Sequence, residues 1–129
     1  MDSNDDIRAA CIDVLDRFME ALNRYDAAGM DATMHFPHLR LADGKFTVYE
    51  APGCNPMDLF DRLRKEDDWK YSRWGRRELV QYHGDKVHVA LSYTRYREDD
   101  SVIGVYDSLY IITRVGGRWG IQARSSFGP

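Results

Sequence analysis

Residues 74–127 read WGRRELVQYHGDKVHVALSYTRYREDDSVIGVYDSLYIITRVGGRWGIQARSSF, and their pattern decides the fold. Apolar and aromatic residues alternate with polar ones over long runs, the period-two signature of β-strands. The runs break at Gly84-Asp85, between Glu98 and Ser101, and at Gly116-Gly117, all rich in turn formers. Four strands are therefore predicted, over 74–83, 87–97, 102–115 and 119–127. Connections this short suit antiparallel hairpins, so the four form a meander.

Upstream the periodicity changes. Ile7, Ala10, Cys11, Val14, Leu15, Phe18, Leu22 and Tyr25 recur at three- and four-residue steps, which lays them on one face of a helix. Asp13 and Arg17, like Glu20 and Arg24, stand four apart on its exposed side with the acid leading. Ser3 followed by Asp6 suits the helix start. A short second helix is expected after Asp26, ending near Met34, because Pro37 disfavours helical geometry at Phe36 and turns the chain extended. Residues 39–41, the Asp43-Gly44 turn and residues 46–49 read as a small hairpin. Asn55-Pro56 reads as the cap and first position of a third helix, with Met57, Phe60 and Leu63 on its buried side. Helices cluster early and strands late, which predicts a single α+β domain over residues 1–129 with helices on one sheet face.

Composition bounds the function. A chain of 129 residues, 43% hydrophobic and 30% charged, can build one core without staples. No apolar run approaches the roughly 20 residues of a membrane span. The acidic N-terminus is unlike a secretory signal, and Cys11 and Cys54 make no disulfide framework, so a cytoplasmic protein is expected. A sequence pI of about 5.8 with no basic run argues against nucleic-acid binding. Charge is unevenly placed: residues 1–68 hold 8 basic and 15 acidic side chains, residues 69–129 hold 10 and 6. Arg outnumbers Lys 14 to 4. Either the solvated faces of the two halves differ, or some arginines serve inward ion pairs or anion contacts, for which their planar fork is suited.

The order helix, helix, hairpin, helix and four long strands resembles the NTF2-like superfamily. Two segments carry the likeness: Phe18-Met-Glu-Ala-Leu-Asn-Arg-Tyr-Asp26, where an aspartate opens the second helix, and Gly117-Arg-Trp-Gly-Ile121, a Gly-x-Trp-x-Ile entry to the last strand. The resemblance implies a strongly curved antiparallel sheet wrapped against three helices into a cone with an internal pocket, and pairing into homodimers. It covers steroid isomerases, SnoaL-type polyketide cyclases, dehydratases and non-catalytic binding domains, so it implies a fold more sharply than a function. Its ketosteroid-isomerase-like and SnoaL-like branch implies a small, partly apolar ligand and, for an enzyme, isomerisation, cyclisation or dehydration beside a carbonyl with no cofactor. Two rival readings are a non-catalytic dimerisation or partner-binding module, using His88, Ser92, Thr94 and Tyr96, and a small subunit of a ring-hydroxylating dioxygenase.

Strand alternation groups the candidate residues. On the second long strand Val87, Val89, Leu91, Tyr93 and Arg95 share a face. On the third, Val105, Asp107, Leu109 and Ile111 oppose Tyr106, Ser108, Tyr110 and Ile112. On the last, Trp119, Ile121, Ala123, Ser125 and Phe127 oppose Gln122, Arg124 and Ser126. The more apolar sets are expected in the core. Asp107, among apolar neighbours, is then a buried acid suited to proton transfer or paired with Arg95 or Arg124. His38 and Arg40 share a face of the early hairpin, where steroid isomerases carry their base, so His38 is the candidate base or else a rim histidine bonded to backbone. Phe18 falls where those enzymes place an oxyanion-donating tyrosine, which disfavours their activity here; Tyr93 or Tyr110 is a possible replacement. Trp69 and Trp74 either stack on a flat ligand or pack the helix–sheet junction. Arg124 either reaches an anionic group in the pocket or pairs at a dimer surface. His35 and His38 straddle Pro37 with no third ligand in a recognisable spacing, so no metal site is expected.

Overall fold

The computed structural model describes residues 4–54 and 59–129, the side chains of 66 and 67 apart. Helix α1 (Asn4–Asn23) and helix α2 (Ala27–Asp31) precede strands β1 (Met34–Ala42) and β2 (Lys45–Tyr49). Helix α3 (Leu59–Asp67) leads into β3 (Tyr71–His83), β4 (Lys86–Tyr96), β5 (Val102–Val115) and β6 (Arg118–Ser126). The expectations placed on Ser3, Asn55, Pro56 and Met57 lie outside the described residues.

The predicted face of α1 is the buried one: Cys11, Val14, Leu15 and Phe18 are in the core, with Ile7, Ala10 and Leu22 packed against it. Asp26 caps α2, its carboxylate accepting the Gly29 N–H at 3.0 Å. That helix stops at Asp31, short of the expected end near Met34. The chain is already extended at Met34, so β1 is longer than the 39–41 segment anticipated.

The sheet runs β2-β1-β6-β5-β4-β3 and is curved without closing. The β3-to-β6 meander forms as predicted. One pairing corrects the all-antiparallel expectation: β6 returns beside β1 and runs parallel to it.

Alternation holds on β4, where Val87, Val89, Leu91, Tyr93 and Arg95 are buried. It fails on β5. Ser108, Tyr110 and Ile112 are buried, while Val105 and Leu109 are 65% and 39% exposed. The cause is register: Leu91 pairs with Ser108, Val89 with Tyr110 and Val87 with Ile112, and paired residues share a face. The inner face of β4 therefore dictates that of β5, against the latter's own hydrophobicity.

On β6 a bulge resets the phase. Ile121 pairs with Ile112 but Ala123 pairs with Ile111, which leaves Gln122 as the extra residue. Trp119 and Ile121 are buried before the bulge. Beyond it Arg124 and Ser126 pair with the inward Tyr110 and Ser108. A matching irregularity in β1 sets residues 35–38, with a cis Phe36–Pro37 peptide, against the same point of β6. His35 and His38 are both buried there. Gly120 makes room for the first: a Cβ on it would stand 2.9 Å from His35 Cδ2. No helix among the described residues is long and apolar enough to cross a membrane.

Candidate functional site

A cavity of about 530 Å³ lies between α1, the hairpin of β1 and β2, and the concave side of the sheet. That volume is within the range of small-molecule sites. Phe18, Arg40, Trp69, Trp74, Tyr93 and Arg124, each singled out in the sequence, all line it.

The aromatic wall is held by its own contacts. Phe18 and Trp74 stack with centroids 6.3 Å apart, and Tyr110 meets them edge-on at 6.3 and 5.8 Å. Trp74 Nε1 donates to the Leu15 carbonyl at 2.9 Å. Trp69 is buried in the helix–sheet junction and donates to Ser72 Oγ at 2.9 Å. These bonds satisfy both indole N–H groups and leave ring surface as wall.

The polar part of the cavity is cationic. Arg40 arrives on β1 and Arg124 on β6, directly paired in register. Burial, then the charge of Arg124, holds the Arg40 guanidinium below its usual pKa, yet an arginine stays protonated in proteins. Among the described residues no carboxylate pairs with Arg40 or Arg124. Asp43, exposed at the β1–β2 turn, carries the only acidic side chain among the described lining residues.

His38 explains how Arg124 is aimed. The ring is 0% exposed, and its Nδ1 lies 2.9 Å from the Ile121 carbonyl, which can only accept. Nδ1 therefore carries the proton, and Nε2 accepts the Arg124 Nε–H at 2.9 Å. Burial, followed by the charge of Arg124, pushes the His38 pKa down to about 3, against a smaller opposing effect of the Ile121 hydrogen bond. Of the two readings of His38, the hydrogen bond to backbone is the one present, in a buried position and not at a rim: its one lone pair is committed and protonation would break the contact. The ring stands behind Arg124, outside the cavity lining.

Asp107 is also corrected. It lies on the outer face of β5, exposed and paired in register with Ser92, because Tyr106, Ser108 and Tyr110 take the inner face. Arg95 and Arg124 point to the other side of the sheet, so neither proposed pairing with Asp107 forms. Arg95 donates to the Pro129 carbonyl at 2.8 Å and lies over the Tyr106 and Tyr93 rings.

Two hydroxyls belong to the site more firmly than the sequence suggested. Tyr110 is 5% exposed, and burial pushes its pKa up to about 12 against the nearby charge of Arg124, so it stays a neutral donor. Ser126 Oγ accepts from Ser108 at 2.7 Å and from the Gly128 N–H at 3.0 Å. With both lone pairs used, its own proton goes to Tyr93 Oη, 2.9 Å away. The Tyr93 O–H is thereby left to donate elsewhere. The β6 bulge that turns these groups inward leaves no mark in residue types.

The family described as NTF2-like protein (DUF6841) matches residues 9–126. No curated protein is similar enough to match. Among solved structures the chain is similar to a protein of unknown function with a cystatin-like fold from Nostoc punctiforme, at 13% identity and TM-score 0.77, covering 97% of this chain and 92% of that one. It is similar to a ketosteroid isomerase-like protein from Erwinia carotovora atroseptica, at 17% identity and TM-score 0.65, covering 92% and 93%. A structure from Catenulispora acidiphila in complex with S-DNPA matches at 12% identity and TM-score 0.74, covering 94% and 92%. At these identities the likeness is one of fold.

Proposed function

The chain belongs to the NTF2-like family DUF6841, and from that premise we propose that it binds a small, partly apolar organic molecule inside its cone. The observation that carries this reading is a cavity of about 530 Å³ whose aromatic wall is already satisfied by internal hydrogen bonds. Such a wall needs no rearrangement to receive a ligand. Binding is favoured over proton transfer because the one histidine near the cavity has its lone pair bound by Arg124. An NMR screen of small aromatic molecules tests it. Hits are expected to shift the Trp74 indole and Tyr93 signals, and Thr47→Phe, which fills the cavity from β2, is expected to remove them. Hits that survive Thr47→Phe unchanged place binding elsewhere.

We also propose that the outer face of the sheet pairs with a second copy of the chain. Register aligns Phe46, Leu41, Ser125, Leu109 and Ala90 in one row across five strands, and Val48, Leu39, Ala123, Ile111 and His88 in the next. Phe46, Leu41, Val48 and Leu109 are all exposed on it. Exposed apolar surface this continuous is uncommon on a monomer. Sedimentation of the pure protein is expected to give a dimer; a monomer at micromolar concentration contradicts the pairing.

A further inference from the structure

Resting on the reading of the cone as a small-molecule site, we infer that its ligand is an oxyanion, a carboxylate or phosphate, seated between Arg40 and Arg124 with a flat apolar body against Phe18 and Trp74. Four observations support this. The first is the charge balance: the chain carries a net −3, yet of the four arginines that line the cavity two, Arg40 and Arg124, have no carboxylate side chain as partner among the described residues. Removing charge from water without a counter-charge is costly, and two like charges facing one space add to that cost. An anion arriving between them relieves both.

The second is the chemistry of the residue that holds Arg124. A carboxylate in the place of His38 would orient the guanidinium equally well and cancel its charge. A neutral imidazole, protonated on Nδ1, orients it through Nε2 and leaves the charge uncancelled. His38 is thus a positioning residue for a cation kept available. Arg124 also lies over the Phe18 ring, 5.5 Å from its centroid, which places the charge at the border of the aromatic wall.

The third is the supply of further donors. Tyr110 stays neutral beside Arg124, and the hydrogen-bond order around Ser126 leaves the Tyr93 O–H without an acceptor there. Guanidinium and phenol donors converging on one space suit oxyanion oxygens, which only accept. The fourth is the ligand's other end: Phe18 and Trp74, stacked with 29° between their planes, offer a flat apolar wall beside the cations. Amphipathic oxyanions match both halves.

Matched probes test the inference on the full chain. 2-Naphthoate and 2-naphthyl phosphate carry the anion, and 2-naphthalenemethanol has the same ring and no charge. By calorimetric titration at least one anion is expected to bind about tenfold or more tightly than the alcohol. Whichever anion binds better names the headgroup. In Arg40→Gln the preference for the anions over the alcohol is expected to fall severalfold. The Arg40 side chain has no hydrogen-bond partner among the described residues, so its loss orphans none of them. Alcohol and anions binding alike would overturn the anion inference and leave the cavity reading standing. A preference undiminished in Arg40→Gln overturns the assignment to these residues. No binding of any of the three at millimolar concentration overturns the inference and the cavity reading together.

Discussion

Arg124 Nε donates to His38 Nε2 at 2.9 Å, and the same imidazole donates from Nδ1 to the Ile121 carbonyl at 2.9 Å. A buried, neutral histidine therefore ties the last strand to the first and aims a cation into the cone.

That arrangement makes stability depend on pH. His38 has a native pKa of about 3 against 6.5 in the unfolded chain, so below pH 6.5 the unfolded state binds more protons. The contribution is whole above pH 6.5 and is lost progressively as pH falls toward 3. Near pH 5 the loss is about 2 kcal/mol, at roughly 1.4 kcal/mol per unit. Urea unfolding at near-neutral and mildly acidic pH measures it, and His38→Gln is expected to flatten this part of the profile.

Truncating His38 to Ala orphans the Arg124 Nε–H and the Ile121 carbonyl and leaves a gap in the β1 bulge. A loss of about 2–4 kcal/mol is expected in denaturant titrations. An unchanged midpoint would mean that the ring carries no structural task.

Asp107 behaves in the opposite way. It is exposed on the outer face of β5, so Asp107→Asn is expected to change stability by less than about 0.5 kcal/mol and leave probe binding unchanged. Weakened binding of a naphthyl probe would restore the acid to the site.

The element order and the inner face of β4 were legible in the sequence because each rests on local periodicity, as in Val87, Val89, Leu91 and Tyr93. So was the shared face of His38 and Arg40, whose register partners Tyr49 and Thr47 both line the cavity with Arg40. The inner face of β5 was not, because Tyr110 and Ser108 are turned inward by pairing with β4 while Val105 and Leu109 look the more apolar. Nor was the aim of Arg124, which depends on the one-residue bulge at Gln122. Gln122 binds across it, donating to the Pro37 carbonyl and accepting from Thr113 at 2.9 Å. Both misses are facts of register between strands, and no single strand encodes them.

Leu109 tests the outer face. Leu109→Lys places a charge in the middle of the apolar row, and sedimentation is expected to show monomers with an unchanged circular dichroism spectrum. A dimer that persists puts the interface elsewhere.

Gly120 tests the packing behind the site. Gly120→Ala drives a methyl to within 2.9 Å of the His35 ring, which is itself held by Arg118 across β1 and β6. A destabilisation of about 1–3 kcal/mol is expected from thermal or urea unfolding, and a neutral outcome would show that the ring yields at little cost.

A crystal structure of the full chain with 2-naphthoate tests the central claim most directly. The account predicts the carboxylate within hydrogen-bonding distance of both Arg40 and Arg124, with the naphthyl ring against Phe18 and Trp74. A probe bound outside the cone, or inside it with its carboxylate turned away from both arginines, would contradict it.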